Sequence, residues 1–123
     1  MKKLILFIFL SFVKISFGQQ SYFMTVDGTN KKLEVFGADF DLITYEEAKL
    51  RCQDLGDGWR IPTKEEMNSM CIRKDRLELD NNWYWCKSTN TTNPAWSCNI
   101  SNCSTFANYG SRNTCLFRPV RNR

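Results

Sequence analysis

Apolar positions follow three rhythms along this chain. Residues 4–13 form an almost unbroken apolar run, interrupted only by Ser11. Residues 22–26 and 32–36 are β-prone and flank the turn signal Asp27-Gly28, which predicts a hairpin with a loop of several residues. Residues 37–42 read as a connector with room for one more short extended piece. The rhythm then changes to a helical one. Tyr45, Ala48, Cys52 and Leu55 fall on one face, with Glu46, Lys49, Arg51 and Gln53 toward solvent. Met67, Met70 and Cys71 form a second stripe, predicting a helix from Lys64 to about Lys74. After a polar turn at 76–82, Trp83-Tyr84-Trp85-Cys86 reads as a buried strand. Residues 87–103 are a Ser-, Thr- and Asn-rich loop region with a strand around 95–100. Short strands follow at 106–109 and 115–120, separated by a turn at 111–113, and 121–123 are a polar tail. Two helices between groups of strands, with no internal repeat, predict one α+β domain.

The chain is organised around Gly56-Asp57-Gly58-Trp59-Arg60-Ile61-Pro62-Thr63. Gly56 suits the left-handed conformation that closes a helix. Trp59 is an apolar anchor in a polar turn, and Arg60 is placed to pair with a nearby acid. Pro62 biases Ile61 to an extended backbone. Thr63 and Glu66 make a capping box for the second helix, as Thr44 and Glu47 do for the first.

Composition and charge narrow the picture. The basic start, the apolar run and Ser16-Phe17-Gly18 read as a secretory signal over residues 1–18, cleaved after Gly18. The run is too short to span a membrane. No Cys follows the cut to carry a lipid, and no second apolar run exists. The expected location is secreted, periplasmic or at the cell surface, with 19–123 as a single domain. The first 18 residues hold three Lys and no acid, so the rest carries 14 bases and 13 acids, net +1. That gives no basis for nucleic-acid binding. The charge is segregated: residues 19–80 hold all 13 acids and nine bases, while 81–123 hold five bases and no acid. The basic half suits an anionic partner such as a sulfated glycan.

The six cysteines, Cys52, Cys71, Cys86, Cys98, Cys103 and Cys115, form an even set in a short exported chain, so disulfides are expected. With no His, the Ser-His-Asp and Cys-His systems and His-containing zinc sites are excluded. Cys98 and Cys103 have a spacing that suits a disulfide better than a copper or redox site. Glu46-Glu47 and Glu65-Glu66 occupy first turns of helices, where the helix dipole favours acids. No cofactor is implied. Asn90-Thr91-Thr92, Asn99-Ile100-Ser101 and Asn102-Cys103-Ser104 match glycosylation acceptors, but the leader has a bacterial look and their use is not expected. The amides with nearby aromatics make Asn93, Trp96, Asn99, Tyr109 and Arg112 the candidate ligand contacts. The alternative for Trp96 is a core position under the loops. Without acids in 81–123, a calcium site is not expected there.

Thr44-Tyr45-Glu46-Glu47-Ala48, Cys52 and the block from Gly58 to Met67 resemble the Lcl C-terminal domain family. Tyr84-Trp85-Cys86-Lys87-Ser88 and Arg118-Pro119-Val120-Arg121 stand where that family has Tyr-Trp-Ser-Ser-Thr and Arg-x-Val-Arg. The likeness spans most of residues 44–121, and its Trp-Arg-Ile-Pro-Thr block is the specific part. Departures are Cys86 and Lys87 for a small Ser pair, and Pro119 where Cys is frequent. The resemblance implies a C-type-lectin-like fold, akin in shape to formylglycine-generating domains, exported and in some members adhesive toward glycans. It implies Cys52 bridged to Cys115, with Cys71, Cys86, Cys98 and Cys103 pairing among themselves. The function expected is a non-catalytic, calcium-independent binding module for an extracellular glycan. The alternatives are an interaction protein of an envelope assembly and, less favoured, a cysteine-dependent redox or copper enzyme.

Overall fold

A computed structural model describes residues 20–107 and 113–123. The segment expected to be a signal, and the candidate contacts Tyr109 and Arg112, lie outside the described residues. The order is β1 (Ser21–Thr25), β2 (Lys32–Phe36), β3 (Phe40–Ile43), α1 (Tyr45–Leu55), α2 (Lys64–Ile72), α3 (Lys74–Leu77), β4 (Trp83–Lys87), β5 (Ala95–Asn99), β6 (Ser104–Ala107), β7 (Cys115–Phe117) and β8 (Val120–Asn122). The fold is α+β. One sheet has the order β1-β2-β8, the other β3-β7-β4-β5-β6. All pairings are antiparallel except β4 with β7.

β4 explains why its sequence is apolar without alternation. Tyr84 and Cys86 face a cluster with Leu33, Val35, Met67, Met70, Leu116 and Val120. Trp85, on the opposite face, packs with Phe36, Phe40, Ala48, Ile61 and Phe117. A strand covered on both faces reads as a continuous apolar run. Trp85 is 1 % exposed, and its indole N–H donates to the Ile43 carbonyl at 2.7 Å.

Both helices begin as the sequence predicts. The Thr44 and Thr63 hydroxyls accept from the backbone N–H groups of Glu47 and Glu66, whose carboxylates accept from the cap N–H groups in return. Between the helices, the organising turn joins the two sheets. Arg60 exchanges both backbone hydrogen bonds with Val120 of β8, at 2.8 and 2.9 Å. Two residues later the Pro62 carbonyl accepts from Lys87 of β4 at 2.8 Å. Trp59 meets Phe36 edge-on at 5.2 Å, and the Arg121 guanidinium lies 4.4 Å above its ring.

Several expectations need correction. Gly56 has φ 65 but ψ −160, so it uses the freedom of glycine without entering the left-handed helical region. Residues 76–82 are not all solvated turn: α3 lies there and buries Leu77 completely. The strand expected at 115–120 is two strands in different sheets, broken at Arg118-Pro119, because proline cannot donate to a ladder. The expected tail includes β8, whose Arg121 reaches Glu34 at 2.8 Å. Arg118, 2 % exposed, donates to Asp39 at 2.7 Å and to the carbonyls of Phe36, Leu77 and Glu78. Tyr84 donates to the other Asp39 oxygen at 2.7 Å, which ties β3, α3 and β4 to the break between the sheets.

The cysteine framework also differs. Cys71 is bonded to Cys103. Cys52, Cys86, Cys98 and Cys115 are thiols, so the Cys52–Cys115 bridge implied by the resemblance is not formed, nor is Cys98–Cys103. Cys52 faces a cleft, whereas Cys115 is buried opposite Ile43. Cys86 and Cys98 share a face of adjacent strands but are offset, Cys86 opposite Trp96 and Cys98 opposite Tyr84. Such diagonal neighbours stand roughly 7–8 Å apart, beyond disulfide reach.

Candidate functional site

The α1 helix, the organising turn and the loop after β4 enclose an open cleft of about 560 Å³. Four cations line it: Lys31 from the hairpin loop, Lys49 from α1, Arg60 from the turn and Lys87 from the end of β4. No carboxylate is among the lining residues. Neutral donors and acceptors complete the wall, including the Tyr45 phenol, the Thr63 and Thr89 hydroxyls and the Asn122 amide.

Local rules place Lys49 and Lys87, whereas side-chain pairing places Arg60 and Lys31. Tyr45, Lys49 and Cys52 recur at helical spacing and so share one flank of α1. Lys87 follows Cys86 on a strand, so its side chain leaves on the face of Trp85, away from the first core cluster. Arg60 is fixed by its bidentate pair with Glu66, at 2.8 Å to each oxygen, and by a 2.8 Å bond to Asn122. Lys31 adds a 2.6 Å contact to the same carboxylate.

Electrostatics divide these groups into fixed and open ones. Burial pushes the Glu66 carboxyl up, but the bonds from Arg60, Lys31 and the Thr63 N–H outweigh it and hold it down at about 2. Burial raises the Tyr45 phenol to about 12 and the Cys52 thiol to about 11, the latter against a pull from Arg60. At neutral pH the cleft therefore presents a neutral phenol and a neutral thiol, while the ionised Glu66, buried and absent from the lining, is committed to Arg60 and Lys31.

The expected ligand contacts do not converge here. Trp96 is half-buried, packs against the first core cluster, and lies under the Lys64 ammonium at 4.0 Å from the ring centroid. Its indole N–H has no partner among the described residues. The Asn93 side-chain oxygen accepts from the Ala95 N–H at 3.0 Å. The Asn99 oxygen accepts from the N–H and hydroxyl of Ser101, at 3.0 and 2.6 Å, which makes a local turn. Asn99 stands opposite Trp83, whose exposed ring meets that of Phe106 at 5.7 Å. Tyr109 and Arg112 are outside the described residues. Of the residues expected to be structural, Thr44, Glu47, Thr63 and Glu66 form the two helix caps, Arg60 and Pro62 carry the backbone bonds of the turn, and Trp59 and Trp85 pack in or against the second core cluster.

Sequence reasoning missed Lys31, Lys49 and Lys87 as neighbours. Two of them belong to the acidic part of the chain, so segment-wise charge hid them. The available signal was strand alternation, which sets Lys87 apart from Cys86. The thiols also fit poorly with a Cys98–Cys103 redox or copper pair, since Cys103 is bonded to Cys71 and burial raises the Cys98 thiol to about 11. Among the described residues no cluster of His, Cys, Asp or Glu is arranged to hold a metal, and no helix is long and apolar enough to cross a membrane. No protein-family model matches the chain, and no curated protein matches it either.

Proposed function

We propose that this protein is an exported, non-catalytic binding module of C-type-lectin-like shape, which takes an acidic extracellular glycan in the cleft without calcium. The observation that carries this reading is a concave site lined by four cations, hydroxyls and amides, with no carboxylate on its wall. Such a wall attracts anions and repels a dication. Burial drives both the Tyr45 phenol and the Cys52 thiol in the cleft away from neutrality, so neither is poised to move a proton there, which supports binding over proton transfer at this site. The basic and apolar leader and the Cys71–Cys103 bond support export. The likeness to the Lcl C-terminal domain family in residues 44–121 agrees with this reading. The test is a panel of acidic and neutral glycans against the oxidised protein, each in millimolar calcium and then in chelator. Retention of acidic glycans, weakened by salt and indifferent to the chelator, is expected. Retention of none, or retention that needs calcium, overturns the proposal.

A further inference from the structure

We infer that Lys87 is the residue that reads the negative charge of the ligand, and that the other cleft cations mainly build the wall. The inference rests on the cleft being the binding site. Lys31 and Arg60 are spent on Glu66, at 2.6 and 2.8 Å, and Arg60 also on Asn122. Each is held by a charge-assisted bond to that carboxylate, which a new anion would have to share or displace. Lys49 stands 3.4 Å from Glu46, a neighbour on the same exposed flank of α1. Lys87 is different: among the described residues its ammonium makes no ion pair and no hydrogen bond, and it is exposed.

Its base is nevertheless rigid. The Lys87 N–H donates to the Pro62 carbonyl at 2.8 Å, and Lys87 pairs with Ala95 across β4 and β5. The result is an open ammonium with three donors on a fixed strand end, beside the hydroxyl of Thr89 at the cleft wall. An ammonium is a compact point charge that needs no planar, two-pronged partner. It therefore suits a single oxyanion on a sugar, either a sulfate ester or a carboxylate, with neutral hydroxyls of the same sugar left to the threonines and Asn122.

The experiment titrates isotope-labelled protein with three disaccharides, one sulfated, its desulfated counterpart and one bearing a uronate, and reads amide shifts. Both acidic probes are expected to bind more tightly than the neutral one and to shift the amides of Lys87 and Thr89. In Lys87→Gln the acidic probes should weaken by about tenfold, the size of a lost charge-assisted bond, while the neutral one is unchanged. The control Lys32→Gln, at an exposed position outside the cleft, should alter affinity by less than about twofold. The spectrum of each variant also reports whether it is folded. Preference for only one acidic probe identifies the anion source and leaves the inference standing. If Lys87→Gln keeps the full preference for acidic probes, the assignment of Lys87 fails and the cleft reading survives. If no probe shifts the cleft amides, both fail.

Discussion

Glu66 is almost wholly buried and still ionised. Its two oxygens accept from Arg60 at 2.8 Å each, from Lys31, and from the Thr63 N–H at 2.9 Å. A carboxyl whose pKa falls from 4.5 to about 2 on folding stabilises the folded state above about pH 4.5, and that stability is lost as pH falls through about 2. The contribution is about 3 kcal/mol, taken from the size of the shift. Acid denaturation followed by fluorescence should show this loss between those limits. In Glu66→Gln the slope in that window should flatten, and the protein should already be less stable at neutral pH, because Arg60 and Lys31 lose the buried negative charge they share. An unchanged slope would remove the role assigned to Glu66. Arg118 is the opposite case at the same scale. In the sequence it is only one position of a C-terminal Arg-x-Val-Arg pattern, yet it bonds to Asp39 and to three carbonyls from distant segments, contacts that no local rule announces.

At the scale of the element, α2 depends on its start. Thr63 caps the helix while Pro62, one residue earlier, is tied to β4, so fraying there would loosen the cleft wall as well as the helix. Thr63→Ala is expected to lower stability by about 1 kcal/mol in a denaturant melt. It should also weaken ligand binding, because Thr63 lines the cleft. A variant as stable as the parent would show that the cap is redundant with the Glu66 cluster. The strands show what propensity leaves open. The apolar sequence of β4 announces a strand buried on both faces. The stretch 115–120 looks like one strand, and only Pro119 hints at the break. Its division between two sheets follows from where β2 and β4 stand, and those positions are set by packing.

At the scale of the molecule, the Cys71–Cys103 bond ties α2 to the turn before β6 across 32 residues. Closing a loop of that length restricts the unfolded chain by about 3–4 kcal/mol in the chain-entropy account. The double variant Cys71→Ser/Cys103→Ser should lose roughly that much. A loss under about 1 kcal/mol would mean that the unfolded chain is already restricted there. Alkylation of the native protein should spare Cys86 and Cys98, both 0 % exposed, until it unfolds. Labelling of either in the folded state would contradict their placement in the core.

The sequence by itself determined what is local. Caps come from a hydroxyl and a carboxylate three residues apart. Helix faces come from spacing, and the buried strand from an unbroken apolar run. The α+β class follows from their order, because each signal depends on neighbours within one or two turns of chain. Tertiary structure alone decided the cleft. Lys31, Lys49, Arg60 and Lys87 come from four separate elements, and their meeting depends on the organising turn hydrogen-bonding to β8 on one side and β4 on the other. It also decided which cysteines bond, since a bridge needs two sulfurs brought within reach and a count of cysteines carries no distance. Charge summed along the chain is likewise blind to this. Coulombic attraction depends on separation in space, and folding places lysines from the acidic half beside one from the basic half.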